Sequence, residues 1–86
     1  MEYCIASFSS ITVANRVKGK IPKVNGFVGV MQTPSSLSQG GCGYSLRFKI
    51  TLLKTIKSVV GELNVKVKGY YAEVNQNGII SYEKIE

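Results

Sequence analysis

The spacing of apolar residues along this chain of 86 residues changes several times, and the order of those changes limits the folds that it can adopt. Apolar spacing of three and four residues predicts a helix that begins after Ser9 or Ser10 and ends at Pro22. The same spacing predicts a second helix from Thr51, which can serve as its N-cap. Short alternating or continuous apolar runs predict four β-strands, at 3–8, 27–32, 44–49 and 65–74. The order is thus strand, helix, strand, strand, helix, strand.

The first and third strands should differ in how their side chains are distributed over the two faces of a sheet. Residues 3–8 are apolar at nearly every position, as expected for a central strand that is buried on both faces. Residues 44–49 alternate strictly, so one face of this strand should pack in a core and the other should contact water. The core face would hold Tyr44, Leu46 and Phe48, and the wet face Ser45, Arg47 and Lys49.

The tail contains a strong signal for a tight turn. Asn77-Gly78 lies between two strand-like segments, and this dipeptide favours the two-residue turn of a β-hairpin. A fifth strand should therefore fold back on the fourth. The element order predicts an α+β fold: a ferredoxin-like βαββαβ sandwich whose antiparallel sheet has the order 4-1-3-2 and both helices on one face, plus the C-terminal hairpin strand. The domain would span 1–74 and the hairpin arm 75–86.

Composition excludes several classes of site. The chain has no histidine and only two cysteines, which are far apart in the sequence, so one copy cannot complete a zinc or iron–sulfur site. No metal or cofactor is expected, and neither a Walker loop nor a dinucleotide-binding fingerprint is present. The N-terminus does not resemble a secretory signal, and no apolar run approaches the roughly 20 residues of a membrane span. A cytoplasmic protein without a membrane partner is expected.

The segment 33–43, Thr-Pro-Ser-Ser-Leu-Ser-Gln-Gly-Gly-Cys-Gly, has the most distinctive chemistry in the chain. In the expected topology this loop shares one sheet edge with the end of the first strand and the N-terminus of the first helix. A helix N-terminus favours an anion and lowers the pKa of a nearby thiol, and glycines let the backbone approach a ligand. The alternative is that the Gly-Gly-Cys-Gly segment is only a turn, in which the cysteine serves as a small residue. The candidate reactive residue is Cys42, and the candidate residues for binding a substrate or anion are Ser9, Ser10, Thr33, Gly40, Gly41, Gly43 and Arg47.

Cys4 has a different interpretation. It lies among apolar residues near the start of the first strand, where a cysteine usually acts as a small buried hydrophobic residue. About four residues at about 3.3 Å each separate it from the edge that holds Cys42. That distance exceeds the roughly 7 Å between Cα atoms that a disulfide tolerates, so no bridge between the two cysteines is expected.

The residues of this loop and its flanks resemble a known family, the selenium/sulfur carrier-like domains, which are small bacterial proteins. The resemblance runs from Tyr3 to about Tyr71. It implies a cytoplasmic relay protein rather than a turnover enzyme, in which Cys42 carries sulfur or selenium as a persulfide or selenopersulfide between a donor protein and an acceptor protein. Family members often have an acidic residue where this first helix has Asn15-Arg16-Val17. The specific matches are Thr33-Pro34, Leu37, Cys42-Gly43 and Leu46-Arg47-Phe48, with Phe8, Ser10 and Ala14 before them.

The net charge of +6 leaves two other functions open. A basic open sheet face would suit a small nucleic-acid-binding module, with an aromatic ring for stacking on a base. The lysines are scattered and no complete RNA-binding motif is present, so nucleic acid is not favoured as a partner. A regulatory or interaction domain is the other alternative, and the C-terminal strand could pair with a second copy in a homodimer. The residues of the basic face would be Arg47, Lys49, Lys66, Lys68 and Tyr70.

Overall fold

The computed structural model describes residues 3–21, 26–35, 37 and 43–85. Within these ranges the α-helices are α1 (Ile11–Lys20) and α2 (Leu53–Leu63), and a 3₁₀ turn at Ile50–Leu52 precedes α2. No helix in the described part of the chain is long and apolar enough to cross a membrane. The strands are β1 (Tyr3–Phe8), β2 (Phe27–Gln32), β3 (Tyr44–Lys49), β4 (Gly69–Gln76) and β5 (Ile79–Lys84).

The strands form one antiparallel sheet in the order β2-β3-β1-β4-β5. β1 is central, and its residues from Cys4 to Phe8 are all buried, as their apolar character predicted. The α+β class and the predicted order of the strands are confirmed. The assignment to the ferredoxin-like sandwich stays a prediction.

One face of the sheet packs against both helices. Side chains alternate between the faces of a strand, and alternate residues of β1 (Cys4, Ala6 and Phe8) belong to one buried cluster with residues of α1 and α2. The antiparallel register places these side chains beside residues of β3 and β4 that belong to the same cluster. The other members of the cluster are Ala14, Val17, Ile21, Leu46, Phe48, Leu52, Ile56, Val59 and Tyr70.

The hairpin forms where Asn77-Gly78 predicted it. Asn77 has φ 55° and Gly78 has φ 83°, the paired positive values of a two-residue turn that matches the twist of its strands. The Gly78 N–H donates to Asn75 Oδ1 at 3.2 Å. β5 therefore pairs with β4 along its whole length, from Ile79 to Lys84.

The predicted starts of α2 and β4 are wrong, and β4 ends at Gln76 instead of residue 74. α2 begins at Leu53 without a side-chain cap, and Thr51 lies inside the preceding 3₁₀ turn. β4 begins at Gly69 instead of residue 65, because its ladder with β1 ends at the pair Ser7 and Gly69, one residue before β1 itself ends. The segment before Gly69 is held in two other ways: Val65 and Val67 pack against the core, and the Lys68 N–H donates to the Ser7 carbonyl at 2.7 Å.

Candidate functional site

The loop 33–43 is closed at its base by a backbone hydrogen bond. The Thr33 N–H donates to the Gly43 carbonyl at 2.8 Å. This bond extends the β2–β3 ladder by one pair beyond Gln32 and Tyr44. The loop then starts with a turn in which the Leu37 N–H donates to the Pro34 carbonyl at 2.9 Å. Both ends of the loop are therefore anchored to the sheet at the same point.

Gly43 is buried and lies against the end of β1. A Cβ at this position would be 3.1 Å from Thr33 Oγ1 and 3.3 Å from the Phe8 carbonyl oxygen, which is tighter than ordinary van der Waals contact. The lack of a side chain lets the start of β3 approach both groups. The sheet edge thus brings together Thr33, Gly43 and the end of β1, as the sequence predicted.

Three buried hydroxyl groups lie behind this edge and form what we call the hydroxyl cluster. Thr33 Oγ1 is 2.8 Å from Ser45 Oγ and 3.4 Å from Ser7 Oγ. Thr33 and Ser7 are 7% and 5% exposed, and Ser45 is fully buried. Each hydroxyl can both donate and accept, so Thr33 links the base of the loop to β1 and β3 through polar contacts shielded from water.

Ser45 corrects the predicted wet face of β3. The alternation does turn Ser45 away from the helices, but Thr33 and Ser7 cover it, so it does not contact water. Sequence reasoning named Thr33 as a site residue and missed Ser7 and Ser45. The available signal was a serine in each of two adjacent strands, at positions that become cross-strand partners.

The N-terminus of α1 follows the end of β1 directly. Ser10 is its N-cap, and Ser10 Oγ accepts a hydrogen bond from the Val13 N–H at 3.3 Å. Its hydroxyl therefore has a structural partner in addition to any role toward a ligand. Ser9 is exposed and lies between this cap and Phe8.

Arg47 belongs to a separate cluster on the same face of β3. Its Nε and Nη2 donate to the two carboxylate oxygens of Glu73 on β4, at 3.1 and 3.0 Å, and its guanidinium lies 4.1 Å from the centre of the Tyr3 ring. The hydrogen bonds to Glu73 raise the pKa of Arg47. The structure thus directs Arg47 toward β4 and does not bring it to the base of the loop.

Cys42, Gly40 and Gly41 lie outside the described residues, as does Pro22. Cys42 directly precedes the described Gly43 in the sequence.

Cys4 is a free thiol with no exposed surface. It lies in the core cluster opposite Phe48 and Ala72. Burial raises its pKa, and the negative charge of Glu73 adds to this effect. The prediction that Cys4 is a buried structural residue is confirmed.

Tyr70, the aromatic residue named for the basic face, does not lie on that face. Tyr70 pairs with Ala6, whose side chain faces the helices. It is only 9% exposed, and the Lys57 ammonium lies 5.6 Å from its ring centre. The prediction that Tyr70 lies on the open face is therefore wrong. Within the ranges that the structure describes, no group of three or more His, Cys, Asp or Glu side chains could hold a metal ion.

Comparison with known proteins identifies the family to which this chain belongs. Neither the curated proteins nor the solved structures give a significant match. A family model described as "Putative Se/S carrier protein-like" matches residues 3–72, which include α1, α2, the whole loop 33–43 and the strands β1 to β3. The match covers most of the chain and ends within β4, so the protein belongs to the Se/S carrier protein-like family.

Proposed function

We propose that this protein is a carrier that holds a sulfur or selenium atom on Cys42 and passes it from a donor protein to an acceptor protein. The observation that supports this most is the fixed base of the loop: Thr33 and Gly43 are joined by a backbone hydrogen bond and backed by the hydroxyl cluster. A thiol next to Gly43 would be presented from an anchored edge and could meet a partner protein. Membership of the family supports the same function.

The transfer step conserves electrons. The Cys42 thiolate attacks the outer sulfur of a persulfide on the donor, the S–S bond of the donor breaks, and the donor cysteine leaves as a thiolate. Cys42 then holds the transferred atom as a persulfide, and a nucleophile of the acceptor removes it in the same way. A selenium atom would follow the same course as a selenopersulfide. The protein is a relay, and it needs no metal or cofactor for this step.

The electrostatic surroundings favour the anionic form of such a thiol. The α1 N-terminus begins three residues after Phe8, and its partial positive charge stabilises a nearby anion. The net charge of +6 also favours the anionic form of the thiol. Because Glu73 already pairs with Arg47, we assign Arg47 to the scaffold and give the anion-binding role to the backbone at the loop and at α1. The proposal also includes a ferredoxin-like sandwich and a cytoplasmic location, where thiols stay reduced.

Loading with sulfur tests the proposal. The protein is incubated with a cysteine desulfurase and cysteine, and its intact mass and peptides are then measured. We expect a reducible gain of one sulfur atom on Cys42, loss of this gain in Cys42→Ser, and its retention in the matched control Cys4→Ala. Sulfur that still loads onto Cys42→Ser, or a wild-type Cys42 that stays unloaded and reacts slowly with an alkylating reagent at neutral pH, would refute the carrier function.

A further inference from the structure

The two edges of the sheet are not equivalent. β2 forms one edge, and its pairing with β3 shifts register between Phe27 and Gly29, where Gly29 has φ 141°. Such a bulge is one of the devices that protect an edge from pairing with another chain. β5 forms the other edge and pairs with β4 without interruption from Ile79 to Lys84. It therefore presents a regular row of backbone groups on its outer side.

The outward backbone groups of β5 can be assigned from its inner hydrogen bonds. The Ile85 N–H donates to the Tyr70 carbonyl at 2.9 Å, so the backbone of Ile85 points toward β4. Because this direction alternates along an antiparallel strand, the outward N–H and carbonyl groups belong to Ile80, Tyr82 and Lys84. The sequence has no proline at these positions, so all three can donate and accept.

Large apolar side chains follow the same edge. Ile79, Ile80 and Ile85 are 73%, 52% and 38% exposed. A regular edge strand with exposed isoleucines is a surface that pairs readily with another strand.

We infer that β5 forms a homodimer by antiparallel pairing with β5 of a second copy, about a twofold axis that passes through Tyr82. An axis perpendicular to the sheet leaves each side chain on its own face, and the outward groups of Ile80, Tyr82 and Lys84 then meet Lys84, Tyr82 and Ile80 of the second copy. All three outward residues of each chain would be paired. The two sheets would join into one continuous sheet.

Side-chain complementarity supports a second copy and this register. With the axis at Tyr82, Ile79 lies opposite Ile85 of the second copy and no like charges face each other. An axis at Glu83 would place two identical carboxylates opposite each other, which is unfavourable. An axis at Ser81 would leave Lys84 beyond the ladder, opposite the turn residue Gly78, and would pair fewer outward groups. The sequence of β5 is therefore most self-complementary about Tyr82.

A pair of charge variants at Ile80 tests both the dimer and its register. Within its own chain Ile80 lies opposite the neutral Asn75, whereas in the dimer it lies opposite Lys84 of the second copy. Ile80→Glu and Ile80→Lys lose the same apolar side chain and differ in the sign of their charge. Sedimentation equilibrium at a series of concentrations should show a wild-type dimer. It should also show that Ile80→Glu associates roughly tenfold or more tightly than Ile80→Lys, because the pair occurs twice in the dimer.

Oxidative cross-linking supplies an independent measurement. In a Cys42→Ser background, Tyr82→Cys would place two thiols at the twofold axis, with Cα atoms about 5.5 Å apart, within disulfide range. Ser81→Cys is the matched control and should cross-link much less. Circular dichroism checks that each variant is folded. A wild-type protein that stays monomeric, equal association of Ile80→Glu and Ile80→Lys, or preferential cross-linking of Ser81→Cys would overturn the inference.

Discussion

Thr33 joins the base of the loop to the rest of the sheet. Its backbone N–H closes the loop onto Gly43, and its hydroxyl contacts Ser45 and Ser7. A buried hydroxyl that loses its partner costs free energy because water cannot replace the lost bond. The base of the loop is thus held by a side chain that is not itself reactive.

Replacing Thr33 with valine should reveal this dependence. Thr33→Val keeps the shape of the side chain and leaves the fully buried Ser45 hydroxyl without its 2.8 Å partner, so the free energy of unfolding should fall by about 1–3 kcal/mol. Sulfur loading of Cys42 should also slow, because the loop base is less firmly held. Urea denaturation and a loading time course measure the two effects. Thr33→Ser keeps the hydroxyl and should stay close to wild type; equal stability of the valine and wild-type proteins would contradict this role.

At the residue scale, sequence patterns predict the chemical role of a side chain better than they predict whether it is buried. Cys42 stands out because a thiol between glycines is unusual, and Cys4 because its neighbours are apolar. Ser45 could not be predicted as buried, because its burial comes from Thr33 and from Ser7. Residues distant in the sequence cover it, and no local pattern contains that information.

Elements were predictable where local chemistry determines them. Asn77-Gly78 forms the expected turn because both residues accept positive φ. The alternation of Val65-Lys66-Val67-Lys68 was misleading, since it describes an extended segment with one buried side and does not say whether a neighbouring strand is available. That depends on where β1 ends, which is a property of the assembled sheet.

Two glycine-to-alanine changes should have opposite effects on these elements. Gly78 has φ +83°, where a Cβ is strained, so Gly78→Ala should lower the free energy of unfolding by about 1 kcal/mol. Gly19 lies in α1, with no atom within 4 Å of a Cβ placed there. Gly19→Ala should therefore raise the free energy of unfolding by about 0.5–1 kcal/mol, because alanine loses less backbone entropy in a helix. Thermal or urea unfolding measures both changes; the same sign for both would show that backbone conformation is not the controlling factor.

At the scale of the whole molecule, two groups that are protonated in the folded chain make its stability depend on pH. Burial raises the pKa values of Cys4 and Tyr82, and the charge of Glu73 raises both further. The folded chain therefore keeps these protons to higher pH than the unfolded chain. The contribution of Cys4 is fully present below the ordinary thiol pKa of about 8.5, and that of Tyr82 below the ordinary phenol pKa of about 10. Each contribution is lost as the pH rises through the folded pKa of its group.

Urea denaturation at about pH 7.5 and about pH 10 should show this loss in the wild-type protein. Cys4→Ala removes the thiol and should have a lower stability at neutral pH but a smaller decrease between the two pH values. Tyr82→Phe tests the phenol in the same way, with the second measurement at about pH 11, because the ordinary phenol pKa is about 10. Parallel losses of stability in all three proteins would mean that other groups cause the alkaline sensitivity.

The complete burial of Cys4 has a consequence for any experiment on the loop. A thiol reagent can reach this side chain only while the sheet is open, so its labelling rate reports how often the core opens, as hydrogen exchange does for a protected amide. With Cys42 as the reactive thiol of the proposed function, the native chain should show one thiol that is labelled rapidly and one, Cys4, that is labelled only when the core opens. The labelling rates of the two cysteines in one sample would then measure two separate events. One is the reaction of the loop thiol, and the other is the brief opening of the core.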